Sequence, residues 1–326
     1  METIDTTIVE FNLANRTHRT IGVNDFLAVE MDPGMVYWIH CDLRNAHIFK
    51  QLTHKLNLPK ETTKLCSQKN TLSKLIESEQ TITLKFLCLL EKEFKKNREE
   101  HFGDLIIHLT SQYCFTASRK TLPAIIEFKE HYNKAMPFAK TSCFILFLLL
   151  DNVINDYAQF LSNFEVISDQ LDIKVRENHE NIYLEIASTK HRVMEIKRCT
   201  VAVREILMRL SGRKIQVISE ECRLSLSNLF NQSQMIFHEI DSIRDMLNGL
   251  LSQIDYSLML GMNKSMQILT LFAAIFLPLT LITGIYGMNF IDIPELKWHY
   301  GYYYALALML FCGLGLLWLF KKLKWF

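Results

Sequence analysis

Two uncharged runs, each about the length of a membrane span, stand at the C-terminal end of the chain. Residues 265–286 are 22 residues without Asp, Glu, Lys or Arg, and residues 301–320 are 20 more. A bilayer core about 30 Å thick requires about 20 helical residues, so each run is long enough to cross it. The sequence therefore predicts a protein of the lipid bilayer with one C-terminal helical hairpin, in a membrane domain of residues 263–326.

The distribution of lysines predicts how this hairpin is oriented. Lys264 precedes the first run and three lysines follow the second within residues 321–324, whereas the outer loop of residues 287–300 holds only Lys297. Lysine-rich flanks remain on the cytoplasmic side. We therefore expect an integral protein of the cell inner or plasma membrane, with both termini in the cytoplasm.

The global charge and the motifs of the chain exclude several functions. The chain has 36 Lys and Arg residues and 35 Asp and Glu residues, so its net charge is close to zero. Such a net charge gives no electrostatic reason to expect a nucleic-acid partner. No nucleotide-binding loop, H-E-x-x-H or nucleophile motif is present, and we predict that the protein is not an enzyme. The chain has eight cysteines and no C-x-x-C motif. We therefore expect free thiols in a reducing cytosol and no framework of disulfides.

Residues 1–140 mix strand-like and helix-like segments, which predicts a cytoplasmic α/β domain. Helical spacing is found in Ala46–Leu56 and Lys60–Leu75. Short apolar segments bounded by polar residues or glycine predict strands. These strands are Met35–Asp42, Leu84–Leu90, Leu105–Leu109 and Gln112–Ala117.

Residues 141–262 predict a helical hairpin followed by a long stalk helix. The hairpin is expected to break near Ser211-Gly212, and the run Cys143–Leu150 is too short to span a bilayer, so we interpret it as a buried helix segment. No proline separates the stalk from the first span before Pro278, which predicts one helix from about Glu220 to about Tyr286. The fold class is thus an α/β domain, a long-helix stalk and two C-terminal transmembrane helices.

The stalk carries apolar residues at alternating steps of three and four, as in a coiled coil. This stripe is compatible with packing inside one chain or with a stalk that packs against copies of itself. Its members are Leu226, Leu229, Ser233, Ile236, Ile240, Ile243, Leu247, Leu250, Ile254, Ser257 and Gly261.

The same steps continue along one face of the first span. This pore-lining face is polar at both ends, apolar in the middle and free of charge, which is typical of a hydrophobic constriction that gates by dewetting. Ordinary packing of small residues between helices is the alternative. The face consists of Asn263, Met266, Leu269, Ala273, Leu277, Thr280 and Gly284.

The end of this span offers neutral oxygens in quick succession. Gly287 has its backbone carbonyl and Asn289 an additional side-chain carbonyl, and such oxygens suit a hard cation. Mg²⁺ dehydrates reluctantly, so a ring of neutral carbonyls around its water shell is a plausible means of selecting it. Met288 carries a soft thioether and fits packing better than ligation.

Residues 286–289, Tyr-Gly-Met-Asn, followed by Pro-Glu-Leu at 294–296, resemble the hallmark of the CorA family of magnesium transporters. The segments 263–266, 276–280 and the basic tail 321–326 are similar to the family as well. A bare Gly-Met-Asn is a weak signal, because residues 261–263 repeat it at the opposite end of the span by coincidence. The full context over about residues 262–326 is specific.

The resemblance implies a funnel-shaped homopentamer with Mg²⁺ as the transported and regulatory ion and no other cofactor. It implies that Gly287, Met288 and Asn289 form a selectivity filter, with Glu295 in the outer loop. Thr280 would match a second polar ring, Met266 and Leu269 an inner hydrophobic gate, and Asn263 the cytoplasmic mouth. The family also has regulatory acids in its soluble domain. Asp241, Asp245, Glu220 and Glu221 are acids of the stalk that fit a solvated face better than a set of ligands, and Asn228 stands where the family places an acid.

Other functions remain open at this point. One is the zinc-transporting ZntB branch of the same superfamily, so the sequence leaves the physiological cation, its direction and proton coupling undecided. The histidines at 40, 47 and 54 fall on a strand and a helix and predict no metal site. A membrane-anchored helical signal transducer is the alternative from a different class, but a 14-residue outer loop is too short for a sensor domain.

Overall fold

The computed structural model describes residues 6–68, 73–91, 101–136, 139–177, 181–288 and 297–323. The chain divides into two compact units, Met1–Leu250 and Leu251–Phe326. Strands are confined to the first unit over the described residues. They are β1 (Thr7–Asn12), β2 (Thr17–Ile21), β3 (Val36–Asp42), β4 (Lys74–Glu77), β5 (Ile82–Leu89), β6 (Phe102–Leu109) and β7 (Tyr113–Ser118).

Helices connect and follow these strands. α7 begins in the first unit and ends in the second, and α8 belongs to the second. The helices are α1 (Val23–Ala28), α2 (Ala46–Lys55), α3 (Lys60–Ser67), α4 (Pro123–Ala135), α5 (Cys143–Arg176), α6 (Ile182–Gly212), α7 (Glu220–Tyr286) and α8 (Gly301–Lys322).

All seven strands form one sheet in the order β2-β1-β3-β7-β6-β5-β4. β3 and β7 are parallel neighbours at its centre, with Ile39 opposite Phe115, and the other neighbouring pairs are antiparallel. Every residue of β3 is buried. A strand that is buried on both faces is expected to lie between two helical layers.

The side chains of β3 show these two layers. Ile39 and Cys41 pack in a core with Leu52 of α2. Trp38 points to the opposite face, as alternate residues of a strand do, and its ring centroid lies 4.6 Å from that of Phe128 in α4. The predicted α/β domain is therefore confirmed, with helices on both faces of the sheet.

The four predicted strands and the helix over Ala46–Leu56 are confirmed to within a few residues. The predicted helix Lys60–Leu75 is wrong in its second half, because α3 ends at Ser67 and Leu75 pairs with Leu84 in the sheet. The Lys85 ammonium donates hydrogen bonds to the carbonyl oxygens of Leu65 (3.4 Å) and Gln68 (2.8 Å). A cation at these orphan carbonyls stabilises the end of the helix.

The predicted helical hairpin has one break more than expected. The break at Ser211-Gly212 is confirmed, but a further break separates α5 from α6. Asn181 lies there in the left-handed region, with φ of 66°, a conformation that asparagine adopts more readily than most residues. The run Cys143–Leu150 lies in α5 with most of its side chains buried, so its interpretation as a buried helix segment is confirmed.

The long helix is confirmed from Glu220 to Tyr286. Its apolar stripe is buried at the eight positions from Leu226 to Leu250, which shows packing inside one chain over this part. Ser257 and Gly261 at the end of the stripe are exposed in the single chain. Three described helices are long and apolar enough to cross a membrane. In its most apolar stretch of 18 residues, α5 is 56% buried inside the protein, whereas the corresponding stretches of α7 and α8 are each 6% buried.

Burial of His108 predicts a pH dependence of stability. Its Nδ1 lies 2.8 Å from Thr83 Oγ1, and burial lowers the pKa of the imidazole from 6.5 to about 4. Between these values the unfolded chain binds more protons than the folded one, so stability falls as the pH falls from about 6.5 to 4. We expect His108→Gln to flatten this fall in the midpoint of thermal unfolding. The exposed His47→Gln is the control, and an equal flattening in both variants would contradict the prediction.

Candidate ion pathway

The seven residues of the predicted pore-lining face lie on one side of α7 and are all exposed in the single chain. The exposed fractions of Met266, Leu269 and Leu277 are 57%, 70% and 69%. Apolar side chains exposed to this degree require lipid or protein around them. The structure thus brings the seven predicted residues onto one continuous uncharged surface.

The opposite side of the same helix is sheltered, a feature that the sequence analysis missed. Leu271 is buried, and the other members of this stripe are intermediate in exposure. With 3.6 residues per turn, the centre of the sheltered stripe lies about 180° around the helix from the centre of the pore-lining face. The intermediate members are Ala274, Ile275, Pro278, Leu279, Ile282 and Tyr286.

α8 carries a sheltered stripe of its own, with Gly301 and Phe320 buried at its two ends. Between them Ala305, Met309 and Leu316 are intermediate in exposure. We infer that the sheltered stripes of α7 and α8 pack on each other. The pore-lining face then remains available for contacts outside the chain. Small residues at helical spacing in α8, Gly301 and Ala305 among them, are the signal that could have predicted this pairing.

Backbone and hydroxyl groups give the outer end of α7 its polarity. The Thr280 hydroxyl donates a hydrogen bond to the Phe276 carbonyl at 2.7 Å, so its oxygen retains lone pairs for a further donor. The Gly287 N–H donates to the Thr283 carbonyl at 2.9 Å. The C-terminus of a helix carries a partial negative charge, and this end therefore attracts a cation.

A side chain at Gly287 would approach the preceding turn of α7 closely, although the position is exposed. A β-carbon added there would lie 3.1 Å from the Thr283 carbonyl oxygen, which is tighter than ordinary contact. Met288 follows with an exposed side chain. Two predicted site residues, Asn289 and Glu295, lie outside the described residues, so the arrangement of the predicted filter stays a prediction.

Two of the four stalk acids, Asp241 and Asp245, form ion pairs with basic side chains. Asp241 accepts a hydrogen bond from Lys197 at 2.6 Å and lies 2.8 Å from Arg244. The hydrogen bond from Lys197 lowers the pKa of the Asp241 carboxyl below its usual value. Arg244 also contacts Asp245 at 2.8 Å.

The two acids at the start of α7 are paired as well. Glu221 lies 2.7 Å from Lys140, and Glu220 contacts Arg223 one turn along the helix. Across the described ranges, no group of three or more His, Cys, Asp or Glu side chains is arranged to hold a metal ion. Asn228 is exposed on α7.

His40, His47 and His54 are placed apart. His40 is completely buried in β3, with Nδ1 3.0 Å from Thr116 Oγ1. Burial lowers the pKa of its imidazole to about 3. His47 and His54 lie on the surface of α2. His40 therefore belongs to the packing of the sheet.

An α/β domain, a long helix that continues into the first apolar span and a second C-terminal span define the class: a membrane protein with two helical spans after an α/β domain. Residues 34–322 match the family described as CorA-like Mg²⁺ transporter protein. This match covers most of the chain, and the protein belongs to the CorA-like family.

Relatives and solved structures agree with this assignment. The cobalt/magnesium transport protein CorA of Thermotoga maritima is 28% identical over 74% of this chain and 70% of its own length. The magnesium transport protein CorA of Escherichia coli K12 is 26% identical over 71% of this chain and 75% of its own.

Two solved structures share the fold. The complete structure of the CorA magnesium transporter from Methanocaldococcus jannaschii is similar over all of both chains, with a TM-score of 0.84 and 18% identity. The ZntB cytoplasmic domain from Vibrio parahaemolyticus is similar over 78% of this chain and 98% of its own, with a TM-score of 0.63 and 13% identity.

Proposed function

We propose that this protein is a passive channel for Mg²⁺, assembled from several copies of the chain around the pore-lining faces of α7. The main support for this proposal is the position of the pore-lining face. It is exposed and uncharged, and it lies on the side of α7 opposite the sheltered stripe. One hairpin encloses no path, so several copies must surround it. The homopentamer implied by the resemblance suits this arrangement, and both termini would be cytoplasmic.

The polarity of the outer end of α7 supports a cation as the transported ion. Several helix C-termini around one axis would concentrate partial negative charge at the outer mouth. Gly287 and Asn289 would contribute neutral oxygens there, which can contact a hydrated cation without holding it too tightly. The names of the two CorA relatives, which include magnesium and cobalt, agree with a divalent ion.

The membrane potential supplies the driving force in this proposal. Moving one charge across 100 mV is worth about 2.3 kcal/mol, hence about twice that for a divalent ion. The apolar middle of the pore-lining face, with Leu269, Ala273 and Leu277, would act as the barrier that opens by wetting. No energy source beyond the potential is required.

Flux into proteoliposomes with an inside-negative potential tests the proposal. We expect wild-type protein to admit Mg²⁺ only when the potential is imposed, and Asn289→Ala to lose at least about tenfold of this flux. Each lost hydrogen bond to a charged group is worth about 1.5–3 kcal/mol, and a change of 1.4 kcal/mol is tenfold.

Asn231→Ala, which removes an exposed amide from the soluble part of α7, is the matched control and should conduct as wild type does. Zn²⁺ flux that follows a pH gradient would instead place the chain with the zinc-transporting branch. Absence of any divalent flux from a well-folded oligomer would contradict the channel and favour the signal transducer.

A further inference from the structure

The beginnings of α5 and α7 bring two cysteines into contact. Cys143 is the first residue of α5 and Cys222 the third residue of α7, and both are buried, with exposed fractions of 0% and 4%. The Cys222 thiol donates a hydrogen bond to the Cys143 carbonyl oxygen, with Cys222 Sγ 3.2 Å from that oxygen. Both thiols are free.

Polar groups converge on Cys143 Sγ. Thr141 Oγ1 lies 3.1 Å from it and Ser219 Oγ 3.5 Å. The neighbouring Cys222 thiol has the largest influence and lowers the pKa of the Cys143 thiol, and Thr141 and Ser219 act in the same direction against the effect of burial. The helix N-terminus also favours a thiolate.

The other cysteines of the first unit have the opposite character. Burial raises the pKa of Cys41, Cys66 and Cys199, each to about 12. Buried thiols of this kind are inert, because the thiolate is the reactive species. Cys143 therefore differs from its neighbours in both its contacts and its ionisation.

An exposed ion pair is formed by the residues next in sequence to this cluster. Lys140 and Glu221 are direct chain neighbours of the cluster, their charged groups are 2.7 Å apart, and their side chains are 71% and 67% exposed. The exposed surface is thus one residue away in the chain from Thr141 and from Cys222.

We propose that Cys143 and Cys222 form a peroxide-reactive dithiol, which hydrogen peroxide converts into a disulfide between the beginnings of α5 and α7. The site is independent of the ion path and of the transported ion. The test of this proposal measures a covalent product, the disulfide. It can therefore fail or succeed whatever the outcome of the flux experiment.

The chemistry balances with one equivalent of peroxide. The Cys143 thiolate attacks one peroxide oxygen, the S–O bond forms, the O–O bond breaks, and hydroxide leaves with a proton as water. The Cys222 sulfur, whose proton goes to the departing oxygen, then attacks Cys143 Sγ. The S–S bond forms, the S–O bond breaks and a second water leaves. The two thiols lose two electrons in total, and the peroxide gains them.

Peptide mass spectrometry of the full-length wild-type protein in detergent tests the proposal without any substitution. After brief treatment with dilute hydrogen peroxide and alkylation of the remaining thiols, we expect a linked peptide that contains Cys143 and Cys222. These thiols should be lost at least about tenfold faster than that of Cys199, the internal control with a raised pKa. Equal rates at Cys143 and Cys199, or absence of the linked peptide once Cys143 is oxidised, would overturn the proposal.

Two conservative variants separate the roles of the sulfurs. Cys222→Ser should leave Cys143 as a sulfenic acid that a cyclic 1,3-dione traps, whereas Cys143→Ser should leave Cys222 reduced at the same peroxide dose. Ser219→Ala removes one hydrogen-bond donor from Cys143 and should slow its oxidation. Oxidation of Cys222 in the Cys143→Ser protein at the wild-type rate would exclude Cys143 as the attacking thiol.

Discussion

Replacing Leu277 by lysine is expected to abolish Mg²⁺ flux, with a loss of at least about 100-fold. Leu277 lies in the apolar middle of the pore-lining face and is 69% exposed in the single chain. In the proposed assembly, an ammonium from each copy would approach the ion path. One such charge repels Mg²⁺ by about 5 kcal/mol at a separation of about 6–7 Å and an effective dielectric constant of about 20. Flux into proteoliposomes under an imposed potential measures the effect.

Leu277→Glu is the control that separates a path-facing position from a lipid-facing one. A carboxylate attracts a divalent cation, so we expect this variant to retain flux within about tenfold of the wild type. If Leu277 faced lipid, either charge would be costly at the centre of the bilayer, by about 2.5–3.5 kcal/mol on insertion scales. The two variants would then lose membrane-inserted protein alike, and this equal loss would contradict the pore-lining assignment.

The long helix and the two spans were predictable because their signals are local. A run of residues without charge directly meets the demand of a bilayer core, and absence of proline before Pro278 leaves nothing to end α7 earlier. Both ends of α7 lie where they were predicted.

Two strands whose own sequences lack a clear strand pattern escaped prediction. β2, of sequence THRTI, has four exposed residues and no alternation of apolar and polar side chains. Backbone pairing with β1, where Val9 lies opposite Thr20, holds it in the sheet. β4 was hidden in an apparent helix, because its four residues, KLIE, are too few to show a strand pattern. The end of α3 at Ser67 had no local signal either, because Lys85 caps it from a position 17 residues beyond Gln68.

In the candidate site too, features with a local pattern were predictable and features that depend on contacts between distant residues were not. The pore-lining face could be projected from helical spacing, but the sheltered stripe of α7 depends on the packing of other elements. The ion pair between Lys197 and Asp241 spans 44 residues and has no local signal, whereas the contact between Glu220 and Arg223 follows from a spacing of three. The dithiol joins residues that are 79 positions apart.

The buried cation Lys85 predicts a large loss of stability when its anionic partner is removed. Lys85 is completely buried, and its ammonium lies 3.2 Å from Asp104 Oδ2, with Arg119 3.9 Å from the same oxygen. Asp104→Ala leaves both cations without this carboxylate. Breaking a buried ion pair from one side costs about 3–5 kcal/mol, because an uncompensated charge stays in the interior. We expect a marked decrease in the midpoint of thermal unfolding of the full-length protein in detergent.

Glu221→Ala provides the matched control, since it removes a carboxylate from an ion pair of similar length whose two side chains are exposed. Solvent screens such a pair, so this variant should unfold close to the wild-type midpoint. Lys85→Met tests the mechanism further. It removes the buried charge and keeps much of the side-chain volume, so the double variant with Asp104→Ala should be more stable than Asp104→Ala alone. A double variant that is less stable than Asp104→Ala would contradict the assignment, because the loss would then come from packing and not from an unpaired ammonium.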